Sequence, residues 1–343
     1  MELHRRISRL LSMPCKNALI RMISSCSGTS TPLIHRLIRQ VMHALSSSML
    51  SPLKELTEKD FTVSPQSQKI SSLLDTNPNR TDDFSDSIIL NVASACSNTI
   101  VVIHNAGIRL VDTFVNHPNI TAIIFAHLPG QDSGRSIVSL LFGDESPSGK
   151  LPYTVARNES DYNVPVAHPK DEFYYFPQDD FSEGVYIDYR DFDRRDIAPR
   201  YEFGFGLSYT TFAYSGLSVA LVRNASTSYL APASPIIEGG AESLWEVIAT
   251  ASAVITNTGD VTAKEVAQLY VHIPGGPVRQ LRGFEKVEIQ PGESETVRFS
   301  LTRRDLSEWN VEVQEWVLQQ GTYGVWVGAS SRDLPLSGEV VVG

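Results

Sequence analysis

Between Asp83 and about Val155 the apolar positions follow two different periods. SDSIILNVASAC spaces them three and four apart and predicts an amphipathic helix, and DSGRSIVSLLFG predicts a second helix that Gly143 would cap. TIVVIHN and TAIIFAHL are unbroken β-branched runs, the pattern of strands covered on both faces. Between them GIRLVDTFVNH reads as a helix closed at His117-Pro118, since proline cannot continue one. Together they predict a βαβ unit, whose crossover is right-handed. From about Tyr214 the period falls to two. YSGLSVALV, WEVIATASAVITNTG, EVAQLYVHI, RQLRGFEKVEI, ETVRFSLTRRDLSEWN and GTYGVWVGAS are short alternating runs, and they predict an all-β sandwich.

These patterns divide the chain. Residues 1–82 form a leader, weakly helical at PLIHRLIRQVMHAL and a polar loop over 61–82 with Pro65 and Pro78. Residues 83–212 form an α/β domain, and residues 213–343 an all-β domain with an exposed Ser/Ala/Pro/Gly-rich insertion at 224–243. The tail of the α/β domain, 156–212, lacks periodicity but is rich in rings, among them Phe173, Tyr174, Tyr175, Phe176, Tyr186, Tyr189, Tyr201, Phe203 and Phe205. Such a segment reads first as a loop clamped by its own aromatics and second as a sugar-stacking platform. In the all-β part, Asn257-Thr258-Gly259-Asp260 should turn a hairpin, and Phe284 of Leu281-Arg282-Gly283-Phe284 should enter the core.

Charge narrows the partners. Residues 1–60 hold nine Lys and Arg against four Asp and Glu, whereas the remaining residues hold 20 against 35. An acidic body argues against nucleic acid, which needs a basic face, while neutral sugars need no net charge. No run of about 18 apolar residues could span a membrane. Cys15, Cys26 and Cys96 make neither a disulfide framework nor a metal pattern, and Cys96 reads as a packed core thiol. Sequons at Asn79, Asn119, Asn158 and Asn224 are potential N-glycosylation sites and favour an extracellular destination. The opening MELHRRISRLLSMPCKNALIRMISSCSG has no long apolar core and is not a secretory signal. It reads as an amphipathic presequence or as a solvated basic leader from a wrongly assigned gene start.

Several motifs occur in order. His127-Leu128-Pro129-Gly130-Gln131-Asp132-Ser133-Gly134 sits at a strand end and opens a helix, with Asp132 or Ser133 placed to cap it. It lacks the Gly-Lys-[Ser/Thr] of a phosphate loop. SPSGKLPYT at 146–154 and RYEFGFGLSY at 200–209 follow, then VITNTGDVTAKEVAQLYVHIP, RQLRGFEKVEIQPGESETVRFSL and GTYGVWVGASSRDLPLSGEV. Over about 260 residues from Asp82 onward, the chain closely resembles the C-terminal half of fungal β-glucosidases of glycoside hydrolase family 3. The resemblance implies a mainly parallel α/β domain followed by a fibronectin type III-like sandwich that serves a structural role.

It also implies retaining hydrolysis of terminal β-glucosyl residues, without metal or cofactor. In that reaction one carboxylate attacks the anomeric carbon while another, about 5–5.5 Å away, protonates the leaving oxygen. The family's nucleophile belongs to an N-terminal (β/α)₈ barrel, and no eightfold βα repeat occurs upstream here. Its acid/base is a glutamate in a Glu-Gly-x-Asp-Arg loop before the first helix, a place that falls near Leu73 or Leu74 in LLDTNPNRTDDFSD. No glutamate lies between Glu58 and Glu145, and Asp75 is the nearest carboxylate. Catalytic residues are therefore left unassigned. Glu183 reads as a structural ion-pair partner, and His104 and His127 as strand-end histidines. The expectation is an incomplete β-glucosidase-type chain, inactive alone, with a β-glucoside or oligosaccharide as substrate once complete. A non-catalytic carbohydrate- or protein-interaction module and a β-xylosidase-type specificity are the alternatives, and the oligomeric state is left open.

Overall fold

The computed structural model describes residues 83–163 and 181–343, which fall into two compact units. The first comprises residues 83–106 and 113–138, the second 107–112 and 139–343. The leader, Asp75, Asn79, Cys15, Cys26 and the rings Phe173, Tyr174, Tyr175 and Phe176 lie outside the described residues.

In the first unit, helix α1 (Asp83–Ala95) precedes strand β1 (Thr99–Ile103), which pairs in parallel with β2 (Ile120–Phe125). Helix α1 is tied to the second strand's entry. Asn119 Nδ2 donates to the Ala93 carbonyl at 2.8 Å, and Thr113 Oγ1 donates to Asp86 at 2.5 Å. Along β1, Val101 and Ile103 are buried while Ile100 is 42% exposed. Alternate strand residues point to opposite faces, so one face of the strand is covered and the other is open. Cys96 lies just past α1, half-buried, with its thiol donating to Asn98 O at 3.4 Å rather than packed in a core.

The run GIRLVDTFVNH does not form the expected helix. Residues 112–116 make an isolated turn, with His117 N donating to Phe114 O at 2.9 Å. Val111, Thr113 and Val115 lose rotamer freedom in a helix, and Pro118 blocks extension. Val111 and Phe114 are instead buried as single anchors. The second helix, α2 (Ser133–Leu141), ends as expected. Gly143 is left-handed at φ 75°, its amide donates to Leu140 O, and Asp144 N donates to Ser139 O. These two bonds are the Schellman arrangement that closes a helix.

The second unit is built on the β-sandwich. One sheet holds three antiparallel strands, β3 (Phe212–Leu221), β6 (Val247–Asn257) and β9 (Ser294–Thr302), in the order β3-β6-β9. The other holds β7 (Ala263–His272), β8 (Gln280–Ile289), β12 (Gly321–Gly328) and β13 (Leu336–Val342), in the order β13-β12-β7-β8. Ile248, Ile255, Leu269, Phe299, Leu301 and Val325 belong to the core between them. Within 224–243, the short strands β4 (Ile236–Ile237) and β5 (Gly240–Ala241) pair as a hairpin, and Ile236 is 80% exposed. A further hairpin, β10 (Glu308–Asn310) with β11 (Glu315–Val317), stands outside both sheets.

Two turn-region expectations are corrected. Asn257-Thr258-Gly259-Asp260 carries the chain from β6 to β7, which lie in different sheets, so it is a corner and not a hairpin. Asn257 is fully buried there. Its Nδ2 donates to Val261 O and Ile289 O, and its Oδ1 accepts from Thr210 Oγ1 and Gly259 N. Phe284 is 64% exposed rather than in the core, because β8 is an edge strand and Gly283 is the position that faces Phe299.

Removing the Asn257 side chain leaves buried backbone groups without partners. Asn257→Ala should lower stability by about 2–4 kcal/mol, whereas Phe284→Ser should stay within about 0.5 kcal/mol. Urea unfolding midpoints of both variants, at unchanged slope, check the contrast.

Candidate functional site

The C-terminal ends of β1 and β2 meet at two histidines. His104 Nδ1 donates to the His127 carbonyl at 3.2 Å, and the His127 ring stacks on Phe125 with centroids 6.4 Å apart. His127 itself is left-handed at φ 46°, which turns the chain sharply out of the strand. Leu128, Pro129 and Gly130 follow as an exposed turn, and the Asp132 carbonyl accepts from Ser136 N and Oγ to open α2. This is the edge at which parallel sheets present loops to ligands. It offers imidazole and backbone groups. The place that the family resemblance gives the acid/base, near Leu73 and Leu74, and the nearby Asp75 lie outside the described residues.

A second constellation holds the α/β connection to the sandwich within the second unit. SPSGKLPYT and RYEFGFGLSY, far apart in sequence, run side by side. Leu151 N donates to Phe205 O, Gly204 N to Leu151 O and Val155 N to Tyr201 O, each at 2.8 Å. Ser146 Oγ lies 2.9 Å from Ser208 Oγ and accepts from Tyr209 N. The paired segments face β7. Lys150 Nζ lies 3.1 Å from the Glu265 carboxylate, with side chains only 11% and 5% exposed. Tyr214 donates its hydroxyl to the same Glu265 oxygen at 2.8 Å. Burial, with the Glu265 charge adding to it, drives the Tyr214 phenol far upward, so it stays a donor. Gln268 Nε2 donates to Gly204 O and Ala329 O, and Tyr270 donates to Gln268 Oε1.

Helix α3 (Tyr189–Arg194) completes the junction. Asp193 receives Arg279 at 2.9 Å and Arg332 at 3.2 Å from the sandwich, while its neighbour Asp191 pairs with Arg194 and Arg195. Tyr189 Oη accepts from Leu281 N, and its ring packs on Phe203 and Tyr270 at 4.6 and 5.9 Å. Before α3, Asp188 sits in a strained left-handed conformation, held by bonds from Thr154 N and Oγ1 to its carboxylate. Tyr162 donates to Thr154 O and accepts from Ala156 N, and burial pushes its phenol up to about 12.

The described rings of 156–212 therefore act mainly as a clamp. Glu183 is half-buried in the turn before Tyr186, and among the described residues no ion pair reaches it. The charged clamp was not foreseen, because Lys150, Asp193, Glu265, Arg279 and Arg332 each look like ordinary surface charge in one dimension. Among the described residues no group of three or more His, Cys, Asp or Glu could hold a metal ion.

Comparisons with known proteins match two segments of the chain. The glycosyl hydrolase family 3 C-terminal domain matches residues 53–209, and a fibronectin type III-like domain matches residues 265–331. Probable beta-glucosidase M of Aspergillus flavus is 62% identical over 264 residues, covering 76% of this chain and 34% of that protein. Beta-glucosidase cel3A of Pyricularia oryzae is 55% identical over 264 residues, 76% of this chain and 33% of that protein. Among solved structures, the beta-D-glucoside glucohydrolase of Trichoderma reesei superposes with a TM-score of 0.71 at 41% identity, covering 78% of this chain and 37% of its own. Beta-glucosidase D2-BGL of Chaetomella raphigera gives 0.70 at 41% identity, covering 76% and 36%. The chain spans about a third of the length of the relatives it matches.

Lys150→Met would leave the Glu265 carboxylate buried without its cation. It should cost about 3 kcal/mol, while the double change Lys150→Met with Glu265→Leu should recover most of that loss. Thermal unfolding of the two variants beside the parent chain measures both outcomes.

Proposed function

Because the chain belongs to glycoside hydrolase family 3 through the C-terminal and fibronectin type III-like domains it carries, we propose that it serves retaining hydrolysis of terminal β-D-glucosyl residues, as a framing part of a β-glucosidase. The observation that carries this reading is the 62% identity to a probable β-glucosidase over 76% of this chain but only 34% of the relative. The division of labour follows from the chemistry. Retaining hydrolysis needs a nucleophile and an acid/base, and the resemblance gives neither a residue here. What the chain contributes is the strand-end edge at His104 and His127, and a sandwich clamped to the connection that follows it. The relatives' names favour a β-glucoside over a β-xyloside.

The test is hydrolysis of an aryl β-glucoside by the 343-residue chain, alone and joined to the remaining two thirds of a relative such as the Aspergillus flavus protein. Turnover is expected only in the joined form. Turnover by the chain alone would overturn the framing role and make Glu183 and Asp75 the first residues to replace.

We further propose an extracellular destination, with glycans on a subset of the sequons. Asn158 and Asn224 are exposed, Asn224 at a left-handed turn with φ 66°. Asn119 is half-buried, and the nitrogen a glycan would join is the one that donates to Ala93 O. After secretion from a yeast host, glycopeptide mass spectrometry should find sugar at Asn158 and Asn224 and none at Asn119. A fully occupied Asn119 would contradict this.

A further inference from the structure

The sandwich carries an aromatic surface that its folding does not use. Trp309 on β10 pairs across the hairpin with Trp316 on β11, their rings 5.5 Å apart and inclined at 63°. The Arg304 guanidinium lies 3.1 Å from the Trp316 ring centre and occupies that face. Trp309 is left 45% exposed. Tyr229, also exposed at 41%, accepts at its hydroxyl from Asn310 Nδ2 at 3.3 Å.

This surface is rigid. Leu318 N donates to Tyr229 O at 2.9 Å, and Leu230 bridges to Val317. Beneath the loop, the fully buried Arg303 donates to the carbonyls of Ser226, Ser228 and Leu230. An exposed indole on a fixed backbone adds little to the core, yet it presents an apolar face that water solvates poorly. Rigid aromatics also bind with little loss of side-chain entropy.

The chemistry of the rim selects the occupant. An open indole paired across the hairpin with a second indole that carries a guanidinium suits a ligand with an apolar face and hydroxyl edges. A pyranose ring has that form. The neighbouring Glu312 and Glu315 are exposed and disfavour a polyanion. We propose that Trp309, beside the Trp316–Arg304 pair, binds a neutral β-linked glucan chain by stacking one glucosyl ring on Trp309. The choice of glucan rests on the β-glucoside reading above. The surface would hold the polymer while chain ends are cleaved elsewhere.

The test uses the full chain and cellohexaose, followed by Trp fluorescence, together with retention on insoluble β-glucan. Trp309→Ala should weaken both by about tenfold, and Tyr229→Ala by less. Phe284→Ala, on the same domain but away from the hairpin, should change neither. Unchanged melting of Trp309→Ala keeps the comparison valid, and Trp309→Tyr, which restores a ring, should recover part of the binding. No binding by the parent chain, or equal binding by Trp309→Ala, would overturn the proposal. So would a change of sedimentation with Trp309→Ala in place of a change in glucan binding, since the patch would then join copies of the chain. Aryl β-glucoside turnover by the joined form is measured in parallel. Glucan binding lost with Trp309→Ala while turnover is absent would sink the framing role and leave this surface standing. Turnover without Trp309-dependent binding would do the reverse.

Discussion

A carboxylate buried near the start of a β-strand governs the second unit. Glu265 on β7 is 4% exposed. An ionised carboxylate taken out of water costs several kcal/mol unless it is paired and hydrogen-bonded. Lys150 and Tyr214 meet that need from opposite sides of the chain's organisation, one from the α/β connection and one from the first strand of the sandwich. The sandwich is thereby committed to residues 139–212. β7 is accordingly buried along most of its length, with Glu265 and Gln268 answering polar groups of the connection and Tyr270 packing on the Tyr189 ring.

That constraint explains which features were legible in one dimension. Periodicity located α1, both parallel strands, α2 with its Gly143 cap and the alternating strands of the sandwich, because each is written in the spacing of neighbouring residues. It failed at GIRLVDTFVNH, where spacing looked helical but β-branched residues and Pro118 left only a turn. It failed again at Asn257-Thr258-Gly259-Asp260. A turn tetrad is the same whether the chain reverses within a sheet or crosses to another, and only Asn257's bonds to Val261 and Ile289 distinguish the two. Phe284 was misplaced because alternation gives a strand two faces without saying which is inward. On an edge strand the glycine at 283 took the core side.

Charge was the least legible property. Asp193 gathers Arg279 and Arg332 across 86 and 139 residues of sequence, and Glu265 gathers Lys150 across 115. No window of sequence contains such a cluster. The motifs SPSGKLPYT and RYEFGFGLSY were recognisable as family signatures, yet their physical meaning appears only when they lie side by side and offer Lys150 and the Gly204 carbonyl to β7.

The strand-end edge rests on its own sheet. Groups that contact substrate must be held to within a fraction of an ångström, and loops achieve this only on rigid supports. His127, strained and exposed-turn-forming, has such support on its own sheet through Ile103–Ala126 and His104–His127 bonding. Asp188, the other strained residue with a carboxylate, spends both of its oxygens on Thr154. It therefore fixes the connection at Thr154. At the junction, Asp188, Asp191 and Glu265 have their acceptors directed inward, whereas the His104–His127 edge turns its backbone outward at Leu128, Pro129 and Gly130. Mechanical continuity belongs to the junction.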